Sequence, residues 1–298
     1  MSALPPVAAP RAAVPPAMVH PAIALLRARR VASLSGIDIA TRETTARVFM
    51  RSVFVVVLFW WAATGIIFAL ERGAATRSIG LVLASVLAVW AAWLLYAERS
   101  LESPSAVRRG FLGAAFLWTW VQVLFYGGWL VGPASLAVPI PAEAPSWSLA
   151  TRAVLSMFWY QLVMVFVLVV AAVLVGRQPN RIGWWALATF WCSHQAASIN
   201  IFLGVENPGR GFFPEGVTFL ESYFGPQRNS WFLLISVAAM LAFTLRVAIH
   251  AIRDATPMRR QAMMLLAVLG TLGVVELAVL GAPVNLALWD WFLALRGY

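Results

Sequence analysis

Between residues 51 and 281 the chain is a succession of apolar runs, at about 51–71, 78–97, 110–133, 149–176, 182–203, 230–250 and 262–281. Each is near the ~20 residues that cross a hydrocarbon core as a helix. This pattern constrains the fold more than any other, because backbone inside lipid must satisfy its own hydrogen bonds, which leaves helices or a closed barrel. The runs show no short, alternating strand pattern, so a barrel is excluded. Composition agrees. The chain is 61% hydrophobic and 11% charged, against about 25% charged in a soluble domain. The expected fold class is therefore all-α: a polytopic integral membrane helical bundle of seven transmembrane helices plus a short interfacial C-terminal helix. That last piece, 284–296, is too short to span upright, and Trp289 and Trp291 suit the interface.

Two regions follow. Residues 1–47 are expected to form a cytoplasmic N-terminal arm and 48–298 the seven-helix transmembrane domain. Pro5, Pro6, Pro10, Pro15 and Pro16 with little bulk between them predict disorder at the start. No apolar stretch of signal-peptide type is present there. Residues 21–36 set Ile23, Leu25, Leu26 and Val31 beside Arg27, Arg29 and Arg30. They fit a basic amphipathic helix on an anionic membrane surface or a solvated arm equally well.

The net charge of +10 comes from arginine, with no lysine. In a soluble protein it would suggest nucleic acid; here cytoplasmic loops account for it. With the N-terminus cytoplasmic, sixteen Arg fall on the inner side and six on the outer. The positive-inside rule then predicts a multi-pass bacterial inner-membrane protein, N-terminus in and C-terminus out. The single cysteine, Cys192, is read as a buried structural thiol.

Polar side chains inside hydrocarbon need a partner or a purpose. Gln122, Tyr160, Gln161, His194, Ser198 and Glu276 lie in the apolar runs. Counted from the cytoplasmic helix ends at ~1.5 Å per residue, four of them, Gln122, Gln161, His194 and Glu276, sit at about 18–22 Å. Tyr160 lies in the same layer and Ser198 one turn beyond His194. Interhelical hydrogen bonding is the first reading of such a layer, and a pocket for a ligand or pigment the second. A metal site has too few ligands, and no residue is assigned to catalysis. His194 and Glu276 are expected to be each other's main polar partner. Gln122 and Gln161 would complete a closed network with no free ligand position.

The longest polar loop, 204–229, joins the fifth and sixth runs on the outer side. It carries Glu206, Asn207, Phe212, Phe213, Pro214, Phe219, Tyr223 and Phe224. Pro214–Tyr223 can form a short amphipathic helix with Val217, Leu220 and Phe224 on one face. That face is either a partner-docking surface or a cover over the protein's own helix ends.

NIFLGVENPGRGFFPEGVTFLESYF (200–224) resembles the signature loop of the photosynthetic complex assembly protein family PuhE of purple-type phototrophic bacteria. FWWAATGIIFALER (59–72) is similar to that family's first helix. The stretch from Trp118 to Pro133 is similar to its third, and LWDW (288–291) to its C-terminal end. The resemblance covers about 59–291. It implies an inner-membrane protein serving assembly of the reaction centre and core antenna, whose subunits, with membrane lipid, would be its partners. The family tends to an acidic residue at Gln122, His-Glu at Tyr160-Gln161, basic residues at His194 and Ser198, and Glu-His at Glu276-Leu277. The resemblance therefore implies a divergent member that keeps the fold and loop without the chemistry. The expected function is a non-catalytic assembly or accessory factor for a bacteriochlorophyll photosynthetic complex. A membrane enzyme acting on a tetrapyrrole or other lipid-soluble precursor is the alternative, and a small transporter ranks third. The cofactor is left open between none and bacteriochlorophyll or a precursor.

Overall fold

The computed structural model describes residues 44–71, 73–132, 144–211, 213–254 and 256–283. Among these residues the fold is all-helical, without strands. The helices are α1 (Thr45–Leu70), α2 (Ala74–Glu98), α3 (Pro104–Tyr126), α4 (Trp147–Ser156), α5 (Phe158–Val175), α6 (Ile182–Leu203), α7 (Trp231–Arg253) and α8 (Pro257–Gly281). One 3₁₀ helix, Glu215–Tyr223, lies between α6 and α7. The expected N-terminal arm, except its last residues, and the expected interfacial helix at 284–296 lie outside the described residues.

The faces turned away from the bundle are apolar. Trp61 on α1, Val89 on α2, Val173 on α5 and Leu234 on α7 are each about three-quarters exposed. An apolar exterior on this scale is not stable in water and belongs in lipid. Five helices, α1, α2, α5, α7 and α8, are long and apolar enough to cross a membrane. The interior is finer-grained, with Ala106, Ala114, Ala115, Ala153 and Ala186 fully buried beside Phe111, Tyr160 and Leu265. Small residues let helices approach closely where lipid gives them no hydrophobic reason to associate. At Gly113 on α3, a Cβ would sit 2.9 Å from the Ala91 carbonyl of α2.

The helix pairs α2–α3 and α7–α8 pack most extensively, and α3, α6 and α8 form the centre of the bundle. Four helices, α1, α2, α3 and α8, start a turn or more earlier than their apolar runs suggest, and at two of them the start is marked. α3 begins at Pro104, with Ser103 accepting from the Ala106 amide at 3.1 Å. α8 begins at Pro257 after Thr256. Proline at the first helical position sacrifices no hydrogen bond, and both starts carry one, with a side-chain cap added only at Ser103. The extra turns carry Arg108, Arg109, Arg259 and Arg260.

The third and fourth expected spans also depart from the pattern. α3 ends at Tyr126, and the 149–176 run is two helices parted at Met157 (φ −100°, ψ 25°). The chain after α3 folds into the break. The Gly132 amide donates to the Ser156 carbonyl at 2.5 Å and the Tyr160 amide to the Leu130 carbonyl at 3.1 Å. Groups freed by the interruption are thus repaired by protein, as backbone inside a bilayer requires.

Polar ties close the bundle at both ends. At the Arg99 end, Arg109 donates from Nε and Nη2 to the two Glu98 oxygens at 2.6 and 2.9 Å, and Asn180 donates to the Glu98 carbonyl. Nearby, buried Gln261 donates to Ser52 at 3.0 Å and accepts from Arg108. At the other end Arg77 lies 3.0 Å from buried Glu71 and 3.4 Å from Glu215.

Candidate functional site

The polar layer resolves into two clusters. α3 presents Gln122, whose Nε2 donates to the Tyr160 hydroxyl of α5 at 3.3 Å; both side chains are buried. The Tyr160 ring packs on Phe125 at 4.6 Å and on the His194 imidazole at 5.4 Å. Trp118 meets the same imidazole edge-on at 5.6 Å. His194 Nε2 is buried with no hydrogen-bond partner, which costs about 1–3 kcal/mol for a neutral polar atom.

Trp118, Gln122 and His194 border a cavity of about 190 Å³ between α1, α3, α6 and α8. Aromatic rings form its walls: Phe59 and Trp60 from α1, Trp118 from α3 and Phe190 from α6. Trp118 and Phe190 are stacked at 5.6 Å and 11°. Its polar groups are Gln122, Tyr126, His194 and Glu276, with the hydroxyls of Thr64, Thr119 and Ser193, and no Arg lines it among the described residues. Gly273 makes the α6–α8 approach possible, since a Cβ there would stand 2.9 Å from Ser193 Oγ. That contact brings His194 and Glu276 to one cavity.

The expected His194–Glu276 pair is not formed. Among the described residues no hydrogen bond or ion pair joins them. Glu276 is exposed at the cavity rim. Both side chains line the same cavity without bonding to each other. The closed network is absent as well, because Gln161 faces elsewhere.

Gln161 forms the second cluster. It and Gln195 of α6 exchange hydrogen bonds in both directions, one at 3.2 Å, and Trp191 Nε1 donates to Gln161 Oε1 at 3.3 Å. One residue beyond His194, Gln195 points to α5 while His194 points to the cavity, as successive helical positions must. Ser198 is buried and belongs to neither cluster; Asn200 ties α6 to α7 through Ser236 at 2.8 Å. Cys192 is exposed on the outer face of α6, not buried as expected. Tyr126 and Ser193 are cavity residues the depth argument missed, because it compared only the most costly polar groups.

The loop between α6 and α7 turns its apolar face onto the protein. Glu215–Tyr223 is a 3₁₀ rather than an α-helix, and Val217, Leu220, Tyr223 and Phe224 are buried against the protein's own helices. Pro214 is buried, Phe213 half-buried and Phe219 exposed; Phe212 lies outside the described residues. Asn207 is a structural tie. Its amide N–H donates to Leu280 O at 2.9 Å and its side chain to the Val279 and Ala282 carbonyls. Asn229 donates to Gly281 O at 2.7 Å. Together they satisfy the last carbonyls of α8, which a helix cannot satisfy itself. Glu206 is half-buried, with its amide donating to Asn229.

Fold and site define a polytopic, all-helical membrane protein with an aromatic cavity set among its central helices. Residues 47–297 match the family described as a protein of unknown function, DUF3623, and the chain belongs to that family. It is similar to an uncharacterized 30.4 kDa protein in the puhA 5′ region of Rhodobacter capsulatus. The two are 28% identical over 256 residues, which cover 83% of this chain and 90% of that one. No solved structure matches.

Proposed function

We propose that this protein is a non-catalytic assembly or accessory factor for a bacteriochlorophyll photosynthetic complex, embedded in the bacterial inner membrane. The observation that carries this reading is the relative from the puhA 5′ region, aligned over most of both chains. The loop 200–224, which resembles the PuhE family, points the same way. The cavity of about 190 Å³ is too small to enclose a tetrapyrrole, so the reading does not need pigment inside the bundle and the enzyme alternative gains nothing from it. Reaction-centre or core-antenna subunits and lipid are the partners in this account.

The same proposal includes seven spans. α3 and α6, with 23 and 22 residues, each reach about 33 Å at helical rise. They fall short in hydropathy because they stand in the bundle centre, where Gly, Ala and hydrogen-bonded polar groups replace lipid-facing side chains. Partner docking falls to what the outer loop leaves exposed, with Phe219 its exposed aromatic. Deletion of the gene in a phototroph is expected to lower reaction-centre and core-antenna absorbance while leaving free pigment. Unchanged levels of both complexes would refute the assembly reading. Phe219→Ser is expected to reduce co-purification of complex subunits without altering membrane insertion.

A further inference from the structure

We propose that the cavity between α1, α3, α6 and α8 is a binding site for a single-ring, membrane-soluble phenol or hydroquinone, held between the imidazole of His194 and the carboxylate of Glu276. The inference rests on the membrane placement of the bundle and not on the assembly role. Size is the first argument. A cavity of roughly 150 Å³ holds a benzene ring; about 190 Å³ therefore admits one substituted six-membered ring and excludes a macrocycle.

Wall chemistry is the second. The rings of Phe59, Trp118 and Phe190 offer flat apolar surfaces, and aromatic ligands pack on these edge-on or offset. The unused hydrogen-bonding capacity is the third. His194 Nε2 has no partner, and Glu276 makes no hydrogen bond or ion pair among the described residues. Gln122 is already committed to Tyr160, and the Thr64 and Thr119 hydroxyls to carbonyls one turn back in their own helices. A ligand hydroxyl donating to Glu276, with a second oxygen at the His194 imidazole, meets both groups at once. This is the usual build of a small-molecule site: apolar walls with a few orienting polar groups.

Access is the fourth. Trp60 on α1 and Glu276 on α8 are exposed at the rim, so the cavity opens on the outer surface of the bundle within spans α1 and α8. A ligand that dissolves in lipid reaches it from the bilayer.

The test uses the full chain, purified in detergent, and a tritiated decyl-hydroquinone kept reduced. Saturable binding of one ligand per chain is expected. Glu276→Gln and His194→Leu should each weaken it about tenfold, the effect of one hydrogen bond to a charged or buried group. Ala63→Phe fills the cavity from α1 while leaving both polar groups in place, and should abolish binding in protein that remains monodisperse. Gln161→Leu, in the other cluster, should leave binding unchanged. Absence of saturable binding overturns the proposal, as does binding that survives both Ala63→Phe and Glu276→Gln. Displacement by decyltrimethylammonium as effective as by unlabelled decyl-hydroquinone would show that the decyl chain and not the ring is bound, and would equally end the proposal.

Discussion

Gln161 and Gln195 illustrate how single side chains hold this bundle together. Each amide satisfies the other across α5 and α6, with Trp191 adding a third bond. Removing one amide leaves the other without its main partner in an apolar setting, so the loss should exceed the modest value of the bond itself. Gln161→Leu and Gln195→Leu are each expected to destabilise the protein by about 1–2 kcal/mol, and the double variant by clearly less than their sum. Unfolding followed by circular dichroism in mixed detergent measures the cycle; strict additivity would show that the pair is not coupled. Asp254, between α7 and α8, makes a pH-dependent contribution. The Thr256 backbone N–H holds its carboxyl below the ordinary value of 3.8, helped by the Thr256 hydroxyl, Arg259 and Arg260. A depressed folded-state pKa stabilises above the unfolded value, and the benefit is lost as pH falls through the folded one. Asp254→Ala should therefore lower the stability at pH 7 by roughly 1 kcal/mol, as for a lost helix-capping bond, read by thermal unfolding. The gap from the parent should narrow as pH falls below 3.8.

Among the elements, the loop between α6 and α7 buries the amphipathic face of its 3₁₀ helix. Its amphipathic face packs on α3 and α4, so it works as a lid on the helix ends. Two close contacts fix it. Gly216 lies against Gly128, where a Cβ would come within 2.6 Å of the Gly128 amide and 2.7 Å of the Tyr126 carbonyl. Backbone cannot yield as a side-chain tip can. Gly216→Val is therefore expected to cost about 1–3 kcal/mol, the range for overpacking. It should also raise proteolytic nicking at Arg210, read by mass spectrometry of the trypsin-treated protein. Asn207→Ala, which leaves the α8 carbonyls unsatisfied, should loosen the same lid. Phe219→Ser, on the exposed side, should do neither.

At the scale of the whole molecule, the proposed topology places Ser105 inside and Gly211 outside. With Cys192 replaced by Ser, single cysteines at these positions should react with a membrane-impermeant maleimide from opposite sides of sealed vesicles. Labelling of both from one side would remove the seven-span arrangement. The fold class was legible because lipid leaves few choices: apolar runs near twenty residues must become helices, and composition alone announces them. The loop between α6 and α7 was equally plain from its Asn, Gly and Pro. Proline at the first helical position marks where α3 and α8 begin, with Ser103 capping α3 alone. Other features belonged to the tertiary structure. The break at Met157 has no proline to mark it and exists because residues 130–132 supply its missing hydrogen bonds. Depth along a helix follows from counting residues, and Gln122, His194 and Glu276 line one cavity. The angle each helix turns toward its neighbours depends on close contacts such as Gly273 against Ser193. Those contacts sent Gln161 to Gln195 and left His194 and Glu276 unpaired at the edge of an aromatic cavity.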